Sequence, residues 1–154
     1  MRTLSPLVTA MCAKTDHKEL CESSIAQLPE EPPAQLDGAG VLQLAMNALH
    51  AKVVDAINVA TDRMGVPSTD PLSKDAMNDC LQMYDDMKQN LDSAEELKRG
   101  DKDTAHTMLD SACTDVDTCD NGFLDWEGLK TLMADHDKVL ADLSSNTLAI
   151  ANAI

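Results

Sequence analysis

Apolar side chains recur along most of this chain at alternating steps of four and three residues, the spacing that lines up one face of an α-helix. Between residues 37 and 64 the stripe is Leu42, Met46, Leu49, Val53, Ala56 and Ala60, which predicts a long amphipathic helix. Gly65, Pro67 and Ser68 end it. Asp70 followed by Pro71 then supplies a cap residue and a proline at the first helical position. The second long helix carries Met77, Cys80, Tyr84, Met87, Leu91 and Ala94 and runs to Lys98 and Arg99, whose charge suits a helix C-terminus, before Gly100 stops it. Asp101 or Asp103 caps a third, striped by Ala105, Leu109, Ala112, Val116, Cys119 and Phe123. A fourth follows Gly128, with His136, Leu140, Leu143, Thr147, Ile150 and Ile154 in the same rhythm.

Two shorter helices precede these. One spans about residues 5–14; Asp16, with Glu19 three positions on, forms a reciprocal capping pair that opens another through Ile25 and Leu28. Together they predict an N-terminal helical hairpin. Pro29, Pro32 and Pro33 exclude helix from the next stretch, because proline lacks the backbone donor and clashes with the preceding turn. That stretch is a linker. Four amphipathic helices joined by short turns bury their stripes against one another, so the expected fold is all-α: an antiparallel four-helix bundle over 36–154, with hairpin and linker over 5–35. The 154 residues suit one domain.

Composition sharpens this picture. One Trp, one Tyr and one Phe against nine Met favour helices of unbranched side chains over strands. Twelve basic against 27 acidic residues give a net charge of −15, which repels a phosphate backbone and an anionic membrane alike. Neither nucleic acid nor membrane is an expected partner. No run approaches the ~20 apolar residues of a membrane span. At 44% hydrophobic residues the chain has enough apolar surface to fold. Five cysteines in so short a chain fit an oxidising compartment, and the odd count leaves one thiol over. Residues 1–14 loosely imitate a secretory signal, but Ser5, Pro6, Thr9 and Cys12 interrupt the apolar patch. The stretch is therefore read as mature protein whose natural signal has been removed.

Candidate chemistry is sparse. Asp117, Asp120, Asn121, Gly122, Asp125 and Glu127 suggest a calcium loop, yet setting Gly122 at the sixth position puts Cys119 at the third and Gly128 at the twelfth, where ligands are required. His17, His50, His106 and His136 are scattered, without zinc-ligand spacing. No metal or cofactor is expected. Asp85 and Asp86 are adjacent and point about 100° apart on a helix, so they are not a convergent acid/base pair. An enzyme is not the expected class. Cys12 and Cys21 flank the turn of the hairpin, while Cys80 and Cys119 lie on the stripes of different long helices. Bridges there can staple two hairpins; inert buried thiols and other pairings remain open on spacing alone.

These residues resemble the plant invertase and pectin methylesterase inhibitor family nearly end to end. Cys12-Ala13-Lys14-Thr15 with Cys21 nine residues after the first cysteine is similar to the family's hairpin; Cys80, Tyr84, Asp85 and Asp86 resemble its motif on the second long helix. Ser111-Ala112-Cys113-Thr114 and Asp117-Thr118-Cys119-Asp120-Asn121-Gly122-Phe123 resemble its third. The resemblance implies bridges Cys12–Cys21 and Cys80–Cys119, with Cys113 a free thiol where many members carry a small residue.

The resemblance also implies a protein target, either pectin methylesterase or an acid invertase. Members of the invertase branch often carry Pro-Lys-Phe after the Gly-Asp that opens the third bundle helix, a tripeptide associated with the invertase active site. Here Gly100-Asp101 is followed by Lys102-Asp103-Thr104, without proline or aromatic ring, which favours the pectin methylesterase branch. The implied mechanism is steric: the bundle lies over the enzyme's cleft, reversibly and 1:1. Gln82, Asp85, Asp86 and Gln89 on the second long helix, with Thr114, Asp117, Thr118 and Asn121 on the third, lie off the apolar stripes and are the expected interface. The free protein is expected to be a monomer, secreted to the cell wall. A small secreted ligand-binding protein is the alternative class, but it needs a sizeable apolar cavity, and Ala-rich stripes argue for close packing.

Overall fold

The computed structural model describes residues 3–30, 32, 35–66, 71–93, 107, 109–111, 114 and 133–154. The protein is an all-α four-helix bundle with an N-terminal helical hairpin. The hairpin comprises α1 (Pro6–Cys12) and α2 (Lys18–Ala26); the bundle helices named here are α3 (Gly38–Met64), α4 (Pro71–Ser93) and α5 (Ala134–Asn152). Of the third predicted long helix, residues 107, 109–111 and 114 are described, and all are helical. The expected extension of α4 through 94–99 lies outside the described residues.

α3 organises the molecule. Asp37 caps it by accepting a hydrogen bond from the Gly40 N–H at 2.8 Å. Its predicted stripe from Leu42 to Ala60 is buried throughout, and in its first half Val41, Leu44, Ala45 and Ala48 are buried as well. The second stripe exists because α1 and α2 cover that side, while α4 and α5 both pack on α3. Past the hairpin the same side of the helix emerges into solvent at Asp55, Asn58 and Asp62. The chain closes on itself at Gly38, where an added Cβ would stand 2.5 Å from the Ile154 side chain. That approach admits only glycine without a shift.

Local signals misplaced three boundaries. Ser5 caps α1 through the Val8 N–H as its sequence suggests, but the helix stops at Cys12 rather than near Lys14. Asp16 does not cap α2. His17 occupies the N-cap, with no side-chain cap bond. The buried Asn146 amide of α5 reaches across instead, accepting from the His17 N–H at 3.1 Å and donating to the His17 carbonyl at 3.0 Å. A tertiary partner thus displaces the local capping pair. α5 begins at Ala134, later than Gly128 suggested, with Met133 at its N-cap. Its buried face includes Asp137, whereas His136, which the stripe placed there, is half-buried. A stripe drawn from hydrophobicity alone passes over a buried carboxylate. Ile154 lies beyond the helix end.

Two bridges hold these elements. Cys12 and Cys21 form a disulfide across the hairpin turn. Cys80 is disulfide-bonded too; its expected partner, Cys119, and the expected free thiol, Cys113, lie outside the described residues.

Candidate functional site

α4 separates its residues cleanly by face. Met77, Cys80, Tyr84, Met87 and Leu91, the predicted stripe, are buried against the bundle together with Ala76. Gln82, Asp85, Asp86 and Gln89 are all exposed. Their spacing of three, one and three residues puts them along one side of the helix, within two turns. Asp75, Asn78, Asp79 and Asp92 are exposed as well, so the polar face runs for about 25 Å at 1.5 Å per residue. Its lysines, Lys74 and Lys88, are half-buried at the margins. The face is acidic, rich in acceptors, and without large apolar side chains.

The structure therefore gathers the α4 half of the predicted interface. Thr114 is exposed and helical, and its hydroxyl donates to the Asp110 carbonyl one turn back at 3.1 Å. Asp117, Thr118 and Asn121 lie outside the described residues.

Behind the polar face, the Tyr84 hydroxyl donates a hydrogen bond to Asp137 Oδ1 on α5. Both residues are fully buried. Sequence reasoning used Tyr84 as a motif residue and missed Asp137; the available signal was a position three residues before Leu140, in phase with the core stripe. Around the hairpin, His17 Nε2 stands 3.3 Å from Asp142 Oδ1, whose other oxygen binds Lys138 at 2.8 Å. His50 Nε2 lies 3.1 Å from Asp92 Oδ1 across the α3–α4 seam, without the alignment of a hydrogen bond. Each of these histidines faces a carboxylate on a neighbouring helix. Among the described residues no group of three or more His, Cys, Asp or Glu side chains is placed to hold a metal ion, and no helix is long and apolar enough to cross a membrane. A crevice of about 10 Å³ between hairpin and bundle, lined by Cys21, Ser24, Ile25, Ala45, Leu143, Asn146 and Thr147, has room for little more than one water. What the α4 face offers is negative charge and exposed hydrogen-bonding groups along one side of a helix.

Comparison with known proteins places this geometry. Residues 6–150 match the family model described as plant invertase/pectin methylesterase inhibitor. Proteins named "Putative invertase inhibitor" from Platanus acerifolia and Platanus orientalis are 26% and 25% identical over 137 residues, covering 88% of this chain and 75% and 79% of theirs. The pectinesterase/pectinesterase inhibitor U1 of Solanum lycopersicum is 26% identical over 161 aligned positions, spanning 94% of this chain and 27% of that longer protein. Among solved structures, mutant form A of a pectin methylesterase inhibitor from Arabidopsis superimposes with a TM-score of 0.76 at 20% identity, over 97% of this chain and 98% of that one. A pectin methylesterase inhibitor from Arabidopsis thaliana gives 0.68 at 20% identity, over 97% of both. These two likenesses establish the shared fold.

Proposed function

Because the chain belongs to the plant invertase and pectin methylesterase inhibitor family, we propose that it inhibits pectin methylesterase by covering the substrate cleft in a reversible 1:1 complex, thereby modulating de-esterification of cell-wall pectin. The observation that carries the choice of target is Lys102-Asp103-Thr104 after Gly100-Asp101, where the family resemblance implies that members of the invertase branch often carry Pro-Lys-Phe. Without the aromatic ring and the rigid proline, this segment has nothing to insert into a sugar-binding pocket. The exposed strip of Gln82, Asp85, Asp86 and Gln89 supports docking by a helix face. Thr114, Asp117, Thr118 and Asn121 complete the interface in this proposal. The inhibitor needs no cofactor and performs no reaction; it acts as a single domain, secreted to the cell wall and monomeric when free, and its target supplies the catalytic residues it occludes.

Inhibition of acid invertase is the second reading, favoured by the names of the two Platanus relatives. Assays against a pectin methylesterase and an acid invertase side by side separate the two. Inhibition of the esterase alone is expected; inhibition of invertase alone reverses the assignment.

A further inference from the structure

α4 must present its polar strip at a fixed angle if a helix face is to match an enzyme surface. Much of its core side is poorly suited to fixing that angle. Ala76 is small and Met77 and Met87 are unbranched, and methionine in particular adapts to irregular gaps rather than enforcing one packing. The Cys80 disulfide anchors a point on the helix. Tyr84, one turn further on, supplies a second anchor, and a directional one: its hydroxyl is bonded to Asp137 on α5. α4 and α5 both pack on α3, and this bond joins them to each other across the core.

A fully buried carboxylate is an expensive way to gain stability, since a well-packed apolar side chain of similar size often does as well or better. Here it is supported by the Tyr84 donor and by its place in the first turn of α5, where the helix dipole favours negative charge. What it adds is orientation. The tyrosine hydroxyl stands roughly 8–9 Å from the axis of its helix, so a 20° rotation of α4 moves it by about 3 Å and breaks the bond. The same rotation re-aims Asp85 and Asp86, the two residues that follow Tyr84.

We propose that Tyr84 and Asp137 are positioning residues: their buried hydrogen bond fixes the rotation of α4 and thereby aims Gln82, Asp85, Asp86 and Gln89 at the target. This rests on the inhibitor reading above, and the test separates the two. Hydrogen exchange in the free protein reports on α4 without any target, whereas inhibition reports on the target. In Tyr84→Phe, amides of 82–92 are expected to exchange at least tenfold faster while those of α3 keep their protection, and inhibition should weaken roughly tenfold, mostly through faster dissociation. Asp137→Asn keeps an acceptor for the hydroxyl and should stay within about threefold of the parent in both measurements. The losses from Tyr84→Phe and Asp86→Lys should also be non-additive in inhibition, because both act through the same strip; a purely structural role gives additive losses.

A folded Tyr84→Phe protein with unchanged exchange in α4 overturns the proposal. So does faster exchange with undiminished inhibition, because the strip then needs no aiming. If Tyr84→Phe does not fold, Asp137→Asn decides: near-parental inhibition supports the pair, and a tenfold loss in a native fold contradicts a role carried by the tyrosine bond. A parent that inhibits neither enzyme defeats the inhibitor reading instead, and with it the aiming role, while the exchange data still report whether the bond holds α4.

Discussion

Asn146 does the work of a cap from a helix 129 residues away, matching the His17 backbone with one donor and one acceptor. Only a carboxamide offers both groups at that spacing. Asn146→Asp is isosteric yet turns the donor into a second acceptor facing the His17 carbonyl, so it should loosen the hairpin as much as Asn146→Ala does, by about 1–3 kcal/mol. Amide exchange across α1 and α2 measures this, and parental protection in Asn146→Asp would show that the contact is incidental. Such residues are the least legible in a sequence. Asp16 and Glu19 carry a complete local capping signature, and nothing in their neighbourhood reveals that a distant amide competes for the same turn. Asp137 is hidden for the opposite reason: a polar residue at a core position reads as a gap in the stripe until its partner, Tyr84, is seen across the bundle.

At the scale of the helix, spacing carried most of the information. The core faces of α3 and α4 lie where their 3–4 rhythm places them, because that rhythm follows directly from helical geometry. The additional buried side of α3 could not be read so easily, since Val41, Leu44, Ala45 and Ala48 look like ordinary breadth in an apolar stripe until the hairpin is docked against them. The α4 strip was legible as a non-core face. Its role was not, because a solvated surface and a docking surface have the same composition before the partner arrives. The disulfides give this scale its own expectation. Cys80 is bridged and fully buried, so Cys80→Ser should lower stability by about 2–5 kcal/mol. With Cys119 as the expected partner, Cys113→Ser should leave the melting temperature nearly unchanged. Equal losses from both substitutions would contradict that pairing.

Across the whole molecule the dominant feature is charge. A net −15 on 154 residues sets up a field that reaches a target before any contact does, and salt screens it beyond ~8 Å at physiological ionic strength. Capture of a less acidic enzyme should therefore slow as salt rises, with dissociation much less affected. Reversing Asp85 and Asp86 to Lys changes the net charge by four, at exposed positions that carry no core packing. The variant should fold normally and associate roughly tenfold more slowly at low ionic strength, with the difference shrinking in high salt. Unchanged kinetics would place the docking surface on another face of the bundle.

The most direct measurement is stoichiometric titration of a plant pectin methylesterase and an acid invertase with the same preparation of this protein. Loss of esterase activity at one equivalent, with invertase unaffected and the Asp85→Lys/Asp86→Lys variant weaker against the esterase, is the expected result. Full esterase activity in the presence of excess protein would contradict the proposed target, whatever happens to the invertase.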